Sequence, residues 1–155
     1  AEHYAAVADA HIRQGWQVWL FGSKKDHVVA EQIRGRLIPG LREEATNLCG
    51  DTSLAQAIDL LSCADAVVSN DSGLMHVASA LNRPLVAVYG STSPGFTPPL
   101  ADRVETLQLG LDCSPCFDRT CRFGHYNCLR DLMPAQVNAA LDRLVGNPLS
   151  DPQDN

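Results

Sequence analysis

Along this chain, short apolar runs alternate with helical patterns, and only a few residues join one to the next. That alternation restricts the possible folds more than any other feature. Residues 3–14 carry an amphipathic helical pattern closed by Gly15, a residue suited to a helix C-terminus. The run 16–21 (WQVWLF) reads as a buried strand feeding Gly22-Ser23. A helix is predicted over 26–37, with Pro39-Gly40 as a break beyond it. A very short strand at 47–49 precedes a helix capped by Thr52 or Ser53 and reaching residue 64, with Leu54, Ala57, Ile58 and Leu61 at helical spacing. Strand 66–69, the turn Asn70–Gly73, helix 74–81 and strands 85–89 and 104–109 follow. Pro134 opens a last helix to residue 145. Such alternation predicts an α/β fold, a Rossmann-like parallel sheet with helices on both faces.

Composition narrows the class. A chain of 155 residues suits one domain with a single core. Its net charge of −6 argues against general nucleic-acid binding, which needs a basic face. No apolar run approaches the roughly 20 residues that cross a bilayer, and the opening AEHYAAVADA has neither the basic start nor the apolar stretch of a secretion signal. The expectation is a cytoplasmic protein in a reducing compartment. The polar, Pro-rich stretch 146–155 is predicted to be a disordered tail, which leaves 1–145 as the folded part.

In an open parallel sheet, ligands bind beyond the C-terminal ends of the strands. Three loops sit there: Gly22–Asp26, Asn70–Gly73 and Gly90–Thr97. The second is the sharpest signal. A strand runs into Asn-Asp-Ser-Gly and directly into a helix, whose N-terminus offers unpaired N–H groups and about half a positive charge. That suits a phosphate. Gly73 permits close approach, the Ser72 hydroxyl is a donor, and His76 lies one turn inside on the same face. Asp71 repels phosphate and is better placed to accept from sugar hydroxyls. The plain alternative is an everyday N-cap followed by a helix histidine. In the first loop, Asp26 either accepts from a ribose or caps its own helix. In the third, Ser91, Thr92 and Ser93 are donors or ordinary turn residues. No GxGxxG, GxxxxGK[ST] or GxSxG motif is present.

Six cysteines occur. Cys49 and Cys63 read as inert core thiols. Cys113, Cys116, Cys121 and Cys128 form CxxC-x4-C-x6-C with His125 inside it. A CxxC pair is half of a zinc site. Reduced thiols and disulfides stay open as alternatives, as does an iron–sulfur centre.

The stretch from Val67 to Leu100, VVSNDSGLMHVASALNRPLVAVYGSTSPGFTPPL, resembles the bacterial ADP-heptose:lipopolysaccharide heptosyltransferases of glycosyltransferase family 9, the type II enzymes in particular. Its D-[ST]-G-x-x-H core stands here as Asp71-Ser72-Gly73-Leu74-Met75-His76. The segment CSPCFDRTCRFGHYNCLRDL resembles the cysteine-rich insert of many members. The resemblance implies the GT-B architecture, with this chain as the donor-binding, C-terminal half. It implies inverting transfer of heptose from ADP-L-glycero-D-manno-heptose to the lipopolysaccharide inner core, with no cofactor required and zinc at the cysteines only an option. It places the general base on an N-terminal domain that also binds the acceptor, so no catalytic residue is expected here. Carried onto this chain, Asp71 meets the heptose hydroxyls, and Ser72, Gly73 and His76 hold the diphosphate. Asp26 meets the ribose, Thr52 and Leu54 lie near the adenine, and Gly22 and Ser23 belong to the same nucleotide-binding set. The chain begins inside what looks like the first helix of that half, so a preceding strand and a phosphate-binding lysine are expected to be missing, and the chain alone is expected to be inactive. It is expected to work in the cytoplasm, at the inner face of the inner membrane. Two other readings remain: a sugar-nucleotide 2-epimerase-like domain, whose pattern Leu74 and Ala78–Ala80 do not supply, and a metal-binding interaction module built on the cysteines.

Overall fold

The computed structural model describes residues 1–146. The tail predicted over 146–155 therefore lies, apart from Gly146, outside the described residues. The elements run in the order α1 (Glu2–Ile12), β1 (Val18–Leu20), α2 (His27–Arg36), α3 (Pro39–Arg42), β2 (Ala45–Asn47), α4 (Leu54–Ser62), β3 (Val67–Asn70), α5 (Gly73–Ala80), β4 (Leu85–Val88), β5 (Val104–Leu107), α6 (Asn127–Arg130) and α7 (Pro134–Val145). A 3-10 turn, Lys24–Asp26, leads into α2. Every strand pair is parallel, as the alternation requires.

Contacts group the chain into two compact units, Ala1–Asp59 and the remainder from Leu60. In the first, β1 pairs with β2 in the register Val18↔Ala45 to Leu20↔Asn47. Ala8 and Ile12 of α1, Leu37 and Ala45 form its apolar cluster, with Val18 and Leu41 packed against it. The strands are shorter than the apolar runs. Trp16 is not in β1: its backbone N–H bonds the His11 carbonyl at 3.2 Å and its ring meets the His11 ring edge-on, so it folds back on α1. Strand β2 starts two residues earlier than predicted, and Cys49 has left it. The Asn47 side chain accepts the Cys49 N–H at 3.0 Å and turns the chain there. The Pro39-Gly40 break is itself the first turn of α3, Pro being tolerated at a helix start.

In the second unit, the order is β3-β4-β5 with β4 central. All four β4 residues are buried, whereas β3 is half-buried. Strand alternation sends Leu85, Ala87 and Tyr89 to one face, where they pack on Met75 and Ala78 of α5. Val86 and Val88 point the other way and are also buried. Helix α7, which contacts β4 and β5, covers that side with Val137, Ala140 and Leu141. Pro134 opens α7 as predicted, and Gly146, at φ 73°, ends it.

Candidate functional site

In the second unit, the predicted turn leaves β3 and enters α5. Ser72 is the N-cap, in extended backbone, and its Oγ accepts the Met75 N–H at 3.3 Å. With the His76 N–H on the Ser72 carbonyl at 3.4 Å as well, Gly73 and Leu74 carry the amides that remain at the positive helix end. The Ser69 hydroxyl donates to the Asn70 carbonyl at 2.8 Å. Its contact with Ser72 Oγ at 3.1 Å is therefore one that Ser72 donates, since Ser69 has one proton only. In this arrangement Ser72 is a cap first. The Gly73 and Leu74 amides are the donors left at the helix start.

Asp71 is held rather than loose. Its side chain is 13% exposed. Thr97 Oγ1 donates to Asp71 Oδ2 at 2.9 Å, and His76 Nε2 stands 3.9 Å from Asp71 Oδ1. Thr97 is fixed in turn by the buried Tyr89, whose phenol donates to the Thr97 carbonyl at 2.6 Å. Burial and the nearby Asp71 charge push the Tyr89 phenol above its ordinary range, so it stays a donor. Thr97 is the residue that sequence reasoning missed in this loop. Ser91, Thr92 and Ser93 drew attention because they follow β4 at once, whereas Thr97 returns to Asp71 only after the loop turns at Ser93–Thr97, where the Thr97 N–H bonds the Ser93 carbonyl at 3.1 Å. The Asn70–Gly73 and Gly90–Thr97 loops thus do converge, at the C-terminal ends of adjacent parallel strands, as the general rule for such sheets expects.

His76 is 47% exposed at its side chain and available to a ligand. Around Gly73, a Cβ would meet nothing within 4 Å, so no protein contact demands glycine there. Gly73→Ala should accordingly leave stability unchanged or raised by up to about 1 kcal/mol. Nucleotide affinity should fall on the order of tenfold if a phosphate rests on that backbone. Thermal denaturation and calorimetry on one variant check both halves.

The other predicted residues lie in the first unit. Gly22 is required by close packing: a Cβ there would stand 2.8 Å from Asp26 Cβ and 2.9 Å from Cys49 Sγ. Asp26 Oδ2 accepts both the Ser23 N–H at 2.8 Å and the Ser23 hydroxyl at 2.7 Å. These bonds hold the Asp26 carboxyl below its usual range. Asp26 stands at the N-cap position of α2, yet its side chain makes no cap bond to that helix; it turns back to Ser23 instead, as the acid of a capping box on the preceding 3-10 turn. Ser53, not Thr52, caps α4, exchanging bonds with Gln56 in a capping box. Thr52 is half-buried just before it, and Leu54 is 65% exposed at its first position.

The cysteines separate as well. Cys49 is buried, and burial pushes its thiol up, which fits an inert core group. Cys63 is exposed rather than in a core, because it sits just past the end of α4. Cys113, Cys116, Cys121 and Cys128 are all free and half-buried, in the second unit. Burial pushes the Cys128 thiol up, while backbone N–H groups hold the Cys121 thiol below its ordinary range. Among the described residues, no three His, Cys, Asp or Glu side chains stand as a ready-made metal cage.

The family model described as glycosyltransferase family 9 (heptosyltransferase) matches residues 1–127, most of the chain and all of the β3–α5 turn. The chain belongs to this family. Its parallel α/β units are those of a family 9 glycosyltransferase. The lipooligosaccharide heptosyltransferase 2 of Haemophilus influenzae is 54% identical over 107 residues, covering 69% of this chain and 31% of that protein. The lipopolysaccharide heptosyltransferase 2 of Escherichia coli K12 is 43% identical over 143 residues, covering 92% of this chain and 41% of the relative. The solved structure of the E. coli ADP-heptose lps heptosyltransferase II superposes with a TM-score of 0.81 at 43% identity, over 92% of this chain and 40% of that one. The chain thus spans less than half the length of these family 9 relatives. No helix among the described residues is long and apolar enough to cross a membrane.

Proposed function

We propose that this chain forms the donor-binding half of a type II heptosyltransferase, which transfers heptose from ADP-L-glycero-D-manno-heptose to the lipopolysaccharide inner core with inversion. The observation that carries the reading is the β3–α5 turn: a capped helix N-terminus beside a held carboxylate and an exposed histidine, in a family 9 chain. The Gly73 and Leu74 amides of α5 hold the diphosphate. His76 donates to it from one turn further in, and Asp71, kept in place by Thr97, accepts from heptose hydroxyls. As the glycosidic bond to ADP breaks, negative charge grows on the leaving diphosphate, and fixed donors with a helix dipole stabilise that charge without reorganising. On this reading the charge is met by α5 and His76, and the transfer calls for no cofactor. The base that activates the acceptor hydroxyl belongs to another part of the enzyme, which also meets the lipopolysaccharide. The enzyme works in the cytoplasm against the inner membrane.

Calorimetric titration with ADP, and with UDP as the control, tests this reading. ADP should bind with clear preference over UDP. Equal binding of the two, or tighter UDP binding, would remove the adenine-nucleotide assignment.

A further inference from the structure

Between β5 and α6 the chain runs through 108–126 with no helix or strand. Ordering irregular backbone costs roughly 1–2 kcal/mol per residue, so a stretch of this length needs something to hold it. Its apolar side chains contribute little, since Phe117 and Phe123 are exposed. What the stretch does bring together is thiols. Cys113, Cys116, Cys121 and Cys128 line one cavity of about 100 Å³, with His125 beside them. We propose that these four cysteines bind one zinc ion, which pins the segment against the loop leaving β4.

The chain turns between its cysteines. After Cys116 the chain reverses through Phe117, at φ 58°. After Cys121 it turns through Gly124 at φ 72° and Tyr126 at φ 55°, and the Gly124 N–H bonds the Cys121 carbonyl at 3.0 Å. Cys121 and Cys128 follow on separate turns and line the same cavity as Cys113 and Cys116, the four-thiol donor set that zinc takes in structural sites. The thiols close on the ion by side-chain rotation, releasing their protons as the sulfur–zinc bonds form. Arg119 and Arg122, also on the cavity wall, offset the negative charge of a four-thiolate centre, Arg122 while paired with Asp118 at 2.9 Å.

The segment so held touches the donor loop directly. The Phe117 N–H bonds the Ser91 carbonyl at 2.7 Å, Ser114 Oγ donates to the Gly90 carbonyl, and Gln108 Nε2 donates to the Thr92 carbonyl at 3.1 Å. At Gly90 a Cβ would stand 2.7 Å from the Leu129 side chain of α6, so the two pieces approach closely there. That loop ends at Thr97, the partner of Asp71. The ion is thus a staple under the donor site rather than a reactant, and the assignment stands independently of what the β3–α5 turn binds.

Elemental analysis of the chain, purified anaerobically without chelator, tests the proposal. One zinc per chain is expected, with thiolate-to-metal absorption and tetrahedral d–d bands after exchange with cobalt. Cys128→Ser should lower the zinc content and Cys63→Ser should leave it whole. The wild-type measurement decides even if the Cys128 variant fails to fold. Protein free of metal that also fails to give the cobalt spectrum would overturn the proposal. So would stoichiometric iron, or an intact mass lighter by two hydrogens for each disulfide among these four cysteines.

Discussion

Asp71→Asn should cost the whole enzyme one to two powers of ten in kcat/KM for the ADP-heptose donor while leaving the fold unchanged. Asparagine keeps an oxygen that accepts the Thr97 hydroxyl, so the 2.9 Å bond that holds position 71 survives. What it loses is the charge and the second equivalent acceptor, and it places an amide donor toward His76. Hydrogen bonds to a charged group are worth about 1.5–3 kcal/mol, which sets the size of the loss. His76→Ala should act similarly on turnover, yet its half-exposed ring predicts a stability change within about 0.5 kcal/mol. Donor kinetics together with urea denaturation separate the two effects. Unchanged donor kinetics in both variants would return the turn to the status of an ordinary helix cap.

Met75→Ala should destabilise the chain by about 2–5 kcal/mol, the range for a large buried side chain cut to Ala. Met75 has no exposed surface and packs among Ala78, Leu85, Ala87 and Tyr89, all fully buried. Its sulfur also packs against the Tyr89 hydroxyl, 3.5 Å away. The cavity would therefore open beneath the phenol that fixes Thr97. Met75→Leu, which nearly conserves volume, should cost under about 1.5 kcal/mol. The check is the urea midpoint: it should fall for the Ala variant at constant slope. A midpoint within error of wild type would mean that α5 is not seated on β4 as described.

Much of this was legible in the sequence, for identifiable reasons. The β3–α5 turn could be read because strand, cap and helix are contiguous, and local chemistry decides their boundaries. Pro134 and Gly146 bracket α7 for the same reason. Strand ends were harder, because tertiary contacts set them: the WQVWLF run is uniformly apolar, yet Trp16 belongs to the packing of α1. Helix α6 escaped notice because it is four residues long, inside a cysteine segment with no helical periodicity. Thr97 was hidden for a different reason. Its partner Asp71 is 26 residues away, and nothing local marks one hydroxyl of a Ser- and Thr-rich loop over another. Asp26 was undecided in the sequence because a cap of its own helix and a ribose ligand ask for the same side chain, and nothing local showed that it would turn back to Ser23.

The most direct test of the central claim is a residue-by-residue map of amide chemical shifts during ADP titration of the isotope-labelled chain. The donor-site reading predicts saturable shifts at the Ser72 to His76 amides, much weaker with UDP and lost in His76→Ala. Saturable shifts confined to other residues, with these amides unmoved, would contradict it.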